Sequence, residues 1–179
     1  MILIRHGQSE FNVRFSRTGI DPGIEDPCLT PLGERQVEAA LATLAQVRIT
    51  RIVASPYTRV LQTAAPFARH FGLPVTISPL VRERFAYSCD VGSPASRLTA
   101  EWPDHDFASV PERWWPAETE SERAILARAA VFHQDMAARP DHEETLVVSH
   151  WGFILAMTGQ SLNNAEWVVI EPNAGFLTD

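Results

Sequence analysis

The sequence predicts an α/β fold built on a mostly parallel sheet. Three observations predict it. Short apolar runs rich in Ile and Val alternate with longer segments of helical period. Many boundaries between them carry a cap residue, a proline or a glycine. Three strand-to-loop junctions run into arginine or histidine, at the carboxyl edge where open α/β sheets bind ligands.

The first strand is Ile2-Leu3-Ile4, running into Arg5-His6-Gly7. This places a cation and an imidazole at the strand's end and points to an anion site with a histidine nucleophile. Gly7 is expected to let the backbone approach whatever is bound. Ser9 to Phe15 starts a short helix, and Thr18 to Gly23 reads as loop. Thr30 and Pro31 are a good N-cap and first residue for a helix from about Pro31 to Val47. Arg51-Ile52-Val53-Ala54 is the second strand. Ser55-Pro56 repeats the cap-then-proline start, which puts Arg59 in the first turn of the next helix. Backbone N–H groups there already favour an anion.

Gly72 ends that helix, and Val75-Thr76-Ile77 is a short strand. Residues 79–118 are the least regular part, proline-rich, with one turn of helix from Ala95 to Glu101. They read as a lid-like segment. Trp102, Trp114 and Trp115 within it suit either apolar stapling of the loop or a face toward substrate. Thr119-Glu120-Ser121-Glu122 has the capping-box pattern for a helix running to about Arg139. Thr145 to Ser149 is a strand that stops at His150-Trp151-Gly152. An apolar helix, Phe153 to Thr158, closes at Gly159, and Trp167 to Ile170 is a further strand. Asn173 to Asp179 is a short tail with no assigned role.

Composition narrows the function. The 179 residues are 45% hydrophobic and 21% charged, as in a soluble globular protein of one domain, 1–179. No run is long enough to span a membrane, and the N-terminus shows no signal-peptide pattern, so the expected location is cytoplasmic. Cys28 and Cys89 suit a reducing compartment, and one disulfide is compatible with the count. A net charge of −7 argues against nucleic-acid binding. All 15 basic residues are arginine. Any phosphate clamp must therefore use arginine, histidine or backbone N–H groups, and Schiff-base or Walker-lysine chemistry is excluded.

With parallel strands, Arg5, His6, Arg59 and His150 converge on one edge. Here the sequence resembles the histidine phosphatase superfamily, also called the phosphoglycerate mutase-like family. Arg5-His6-Gly7-Gln8-Ser9-Glu10-Phe11-Asn12 is similar to its opening signature, and Asp26 to Gly33 to the segment before its first long helix. Ser55 to Ala64 is similar to its second arginine motif, and Val147-Val148-Ser149-His150 to its late histidine. The resemblance implies a three-layer α/β/α sandwich of phosphoglycerate mutase-like fold.

It also implies roles. His6 would be the nucleophile, forming a phosphohistidine. Arg5, Arg59 and His150 would surround the transferring phosphoryl group, with Asn12 donating an amide hydrogen bond. The chemistry needs no metal and no cofactor. Glu83, in Val81-Arg82-Glu83-Arg84, is the general acid by resemblance, with Asp90 as the alternative. Flanking Arg82 and Arg84 would tend to keep Glu83 ionised, and a surface ion pair is the competing reading. The His-Asp pair of the acid-phosphatase branch is absent, since Trp151 follows His150. The longer basic middle segment of the family's mutases is absent as well. The resulting expectation is a metal-independent phosphomonoesterase acting on a small phosphorylated metabolite, with phosphate or sulfate able to occupy the site. The alternatives are a phosphoglycerate mutase-type isomerase and a phosphoprotein (phosphohistidine) phosphatase.

Overall fold

A computed structural model describes residues 1–172. The tail from Asn173 onward lies outside the described residues. Five strands form one sheet: β1 (Ile2–Arg5), β2 (Arg51–Ala54), β3 (Val75–Ile77), β4 (Thr145–Ser149) and β5 (Trp167–Val169). Their spatial order is β3-β2-β4-β1-β5. The first four are parallel, and β5 runs antiparallel on the edge beside β1.

Alternation along each strand divides the core in two. Ile2, Ile4, Ile52, Ala54, Leu146 and Val148 face one way. They meet α2 (Pro31–Leu44), α3 (Thr58–Phe71) and α4 (Ala95–Glu101) through Val37, Leu44, Leu61, Phe67 and Leu98. Leu3, Val53 and Val147 face the other way. They meet α5 (Glu122–Ala137) and α6 (Trp151–Thr158) through Ile125, Phe132, Phe153 and Ile154. This is the expected three-layer α/β/α sandwich.

Several boundaries differ from the expected ones, each for a local reason. The first helix, α1, runs Glu10–Thr18 and ends on Gly19 in the left-handed region, at φ 66°. Its cap is Ser9, and Asn12 returns the bond to the Ser9 N–H. The next helix, α2, stops at Leu44. Ser55 caps nothing: α3 begins at Thr58, and Asp26 reaches across from its own loop to accept from the Thr58 N–H at 2.9 Å and hydroxyl at 2.8 Å. Nor does Thr119 open a capping box, because Ser121 is the N-cap of α5. Glu120 is turned inward instead. The last helix, α6, opens two residues earlier than expected, at Trp151.

The tryptophans of the irregular segment do the stapling. Trp114 is buried, donates its indole N–H to the Ser93 carbonyl and packs edge-on against Tyr57 at 4.5 Å. Trp102 and Trp115 rest on the same core. None of the three lines the cleft described next. Both cysteines are free thiols. Among the described residues no helix is long and apolar enough to cross a membrane.

Candidate active site

Register brings the two histidines together. Arg5 is paired with Ser149 across β1 and β4, so His6 and His150 follow side by side at the strand ends. Their ring centroids are 5.3 Å apart. Both are buried. The His6 Nδ1 lies 2.7 Å from the Gly7 carbonyl oxygen. A carbonyl only accepts, so Nδ1 carries the proton and Nε2 is left with a free lone pair. Burial, then the charges of Arg59 and Arg5, push the His6 pKa well below its ordinary value. The ring is neutral at physiological pH, the state a nucleophile needs.

Arg59 is held from several sides. Its Nη1 donates to the Cys89 carbonyl at 2.8 Å, and its Nη2 lies 3.5 Å from Asp90 Oδ1. The guanidinium carbon stands 4.3 Å from the Tyr57 ring centroid. Arg5 donates from Nη1 to the Leu162 carbonyl at 2.7 Å, while its buried Nε has no partner. An orphaned buried donor beside a neutral histidine marks a place for an anion. The carbonyl end of Asn12 is engaged by Ser9 N–H at 3.0 Å and by Asn164 at 3.3 Å. What Asn12 retains for a ligand is its amide N–H pair. Arg5, His6, Asn12, Arg59 and Glu83 all line one cleft of about 610 Å³.

His150 is placed differently from the expectation of a phosphoryl contact. It is fully buried and is not part of the cleft lining. Its Nε2 sits 2.6 Å from the Ser55 hydroxyl and its Nδ1 3.3 Å from Arg59 Nη2. It backs Arg59 from behind.

Glu83 also differs, in its electrostatics. The flanking arginines do not hold it ionised, because both turn to Glu120. Arg82 pairs with the Glu120 carboxylate at 3.0 Å, and Arg84 donates to the Glu120 carbonyl at 2.9 Å. Glu83 instead accepts from the Arg84 N–H at 2.8 Å and the Gly152 N–H at 3.2 Å. Burial and the neighbouring charge of Asp90 raise its pKa. A carboxyl that stays protonated into milder pH can act as an acid. Asp90 has a raised pKa too, mainly from burial. Its oxygens are committed to the N–H groups of Ala86 and Tyr87, both at 3.0 Å, and to Arg59. It anchors the loop, whereas Glu83, in the same cleft, has protein donors only from the backbone.

Gly7 and Gly152 are each required by the protein's own packing. A Cβ at Gly7 would meet the Gly33 carbonyl oxygen at 2.5 Å, and one at Gly152 would meet Glu83 Oε1 at 2.5 Å. Sequence reasoning missed Ser55, Asn164, and the aromatic lining of Phe11, Phe15, Tyr87 and Trp151. Phe11 and Phe15, one turn apart on α1, were the available signal. Among the described residues no group of three or more His, Cys, Asp or Glu is arranged to hold a metal ion.

The chain is similar to known proteins over most of its length. A glucosyl-3-phosphoglycerate phosphatase of Mycolicibacterium vanbaalenii is 28% identical, over 94% of this chain and 82% of its own. A probable phosphoglycerate mutase of Proteus mirabilis is 30% identical, over 83% and 67%. Among solved structures, a mycobacterial glucosyl-3-phosphoglycerate phosphatase in complex with VO3 superposes with a TM-score of 0.66. It has 24% identity, over 93% of this chain and 88% of that one, which bears on the fold. The model of the histidine phosphatase superfamily (branch 1) matches residues 1–172, and the chain belongs to that family.

Proposed function

We propose that this histidine-phosphatase-family enzyme is a metal-independent phosphomonoesterase working through a phosphohistidine on His6. The observation that carries the reading is the state of His6. It is neutral, its Nδ1 is tied to Gly7, which leaves Nε2 with the free lone pair, and the residue lines a cleft that also holds Arg5 and Arg59.

In the first step the Nε2 lone pair attacks phosphorus and the ester P–O bond breaks. Protonated Glu83 gives its proton to the departing alkoxide. In the second step Glu83, now a carboxylate, takes a proton from water as that water attacks the phosphohistidine. The P–N bond breaks, and His6 is neutral again. Arg5, Arg59 and the Asn12 amide balance the charge spread over the phosphoryl oxygens. Relatives named as phosphatases over most of the chain support hydrolysis. The relative named as a mutase keeps the isomerase reading as the alternative.

Brief reaction with a labelled phosphomonoester, acid-stable versus acid-labile label analysis and His6→Ala test this. An acid-labile label on the wild type and none on His6→Ala are expected. Full turnover by His6→Ala would overturn the mechanism. Conversion of 3-phosphoglycerate to 2-phosphoglycerate without free phosphate would favour the isomerase.

A further inference from the structure

We propose that the cleft selects phosphomonoesters of aromatic or arylalkyl alcohols bearing no second anionic group, an inference that rests on the phosphomonoesterase reading above. The cleft, at about 610 Å³, has far more room than one phosphoryl group fills. Beyond the phosphoryl end its wall is aromatic. Phe11 and Phe15 have ring centroids 5.2 Å apart and planes 16° apart. Tyr87 closes edge-on against Phe15 at 5.0 Å. Trp151 contributes from the first turn of α6.

This wall is open to solvent and yet positioned. Tyr87 is 46% and Trp151 43% exposed, whereas Tyr57 and Trp114 are buried. Large aromatic faces left in water gain by covering a flat apolar group. The Trp151 indole N–H donates to the Ser161 hydroxyl at 2.9 Å, which fixes the ring. Asp90 accepts the Tyr87 N–H, and Asp21 accepts the neighbouring Ser88 N–H at 2.7 Å. Ordering the wall therefore costs little on binding.

Charge argues against an acidic leaving group. The cations among the described lining residues are Arg5, Arg59 and Arg84. Arg5 and Arg59 belong to the phosphoryl end. Arg84 has its Nε engaged by the Glu120 carbonyl, and the carboxyls of Glu83 and Asp90 line the same cleft. A carboxylate or second phosphate on the substrate would be taken out of water with one partly engaged arginine to receive it.

The test compares kcat/KM for 2-phenylethyl phosphate, glycerol 1-phosphate and 3-phosphoglycerate, with p-nitrophenyl phosphate as a general phosphatase probe. All three test esters leave as alkyl alkoxides, so intrinsic reactivity is similar. We expect 2-phenylethyl phosphate to lead the other two by about tenfold or more, the scale of one covered aromatic face. Tyr87→Ala and Trp151→Ala should each shrink that ratio, and a ratio within one variant is insensitive to loss of folded enzyme. Equal rates on all esters, a lead for 3-phosphoglycerate, or a ratio untouched in both variants would overturn the selectivity while leaving a phosphatase. No hydrolysis of any ester, p-nitrophenyl phosphate included, would remove the phosphomonoesterase reading itself.

Discussion

The Nη2 of Arg59 lies 3.3 Å from Nδ1 of His150, and this contact fixes the tautomer of the imidazole. A guanidinium can only donate, so Nδ1 accepts. The ring proton is then on Nε2 and is donated to the Ser55 hydroxyl oxygen, 2.6 Å away. Burial, then Arg59 and His6, push the His150 pKa well below the ordinary value. His150 in this state has no N–H to offer an anion.

A bound dianion changes that balance, and the first prediction follows. An anion drawing Arg59 forward favours a proton on Nδ1, since opposite charge nearby favours the charged form. The His150 pKa should rise when orthovanadate or phosphate binds. Histidine NMR titration with and without orthovanadate measures it. An unchanged His150 titration at saturating anion would leave this residue a purely structural support for Arg59.

The pH profile should be bounded by two displaced groups. The neutral His6 nucleophile is kept to lower pH than an ordinary histidine and is lost as pH falls through its lowered pKa. The Glu83 acid survives to higher pH than an ordinary glutamate and is lost as pH rises through its raised pKa. Activity is therefore expected between an acid limb set by His6 and an alkaline limb set by Glu83. Glu83→Gln should abolish the alkaline limb attributed to this acid. It should cut turnover of poor leaving groups by about 10²–10⁴-fold, and activated aryl phosphates much less. Equal losses on both substrates would move the acid elsewhere.

Strand runs and helix positions were legible because local patterning decides them: Ile2 to Ile4, Ile52-Val53 and Leu146 to Val148 are buried β-formers, and each lies within an observed strand. The convergence of Arg5, His6 and Arg59 on one cleft was legible because Arg5 and His6 end β1 and Arg59 opens the helix that follows β2, at one parallel edge. What the sequence hid are long-range partners. Nothing local says that Asp26 caps a helix 32 residues on, or that Ser55 serves His150 rather than α3. Arg82 and Arg84 flank Glu83 along the chain but answer to Glu120 in space.

Gly152 should be intolerant of a methyl group for a chemical reason. Its Cβ would fall 2.5 Å from Glu83 Oε1, and its N–H is one of the two backbone donors to that carboxyl. Gly152→Ala in the first turn of α6 should displace Glu83 while raising helix propensity. Expected is a fall in kcat on alkyl phosphates with little change in Tm. Gly33→Ala should behave oppositely. Its Cβ would run into the Gln8 carbonyl oxygen, so stability should fall.

Glu120 should prove to be the stability counterpart of the acid. It pairs with Arg128 at 2.6 Å and Arg82 at 3.0 Å, and its side chain and that of Arg128 are 6% and 7% exposed. Arg128 in turn donates to the carbonyls of Leu80 and Arg82, both at 2.8 Å. The carboxylate thus secures the backbone that carries Glu83 from both ends of one short segment. Removing one member of a buried charge group leaves the others uncompensated, which costs about 3–5 kcal/mol. Glu120→Ala should lower stability by that order in urea titration, and Glu120→Gln by less, because the amide oxygen still accepts. Loss of turnover on alkyl phosphates should exceed loss on p-nitrophenyl phosphate in the folded fraction of either variant, since a mispositioned Glu83 matters most for a poor leaving group. A stability change with both substrates equally affected would confine Glu120 to folding.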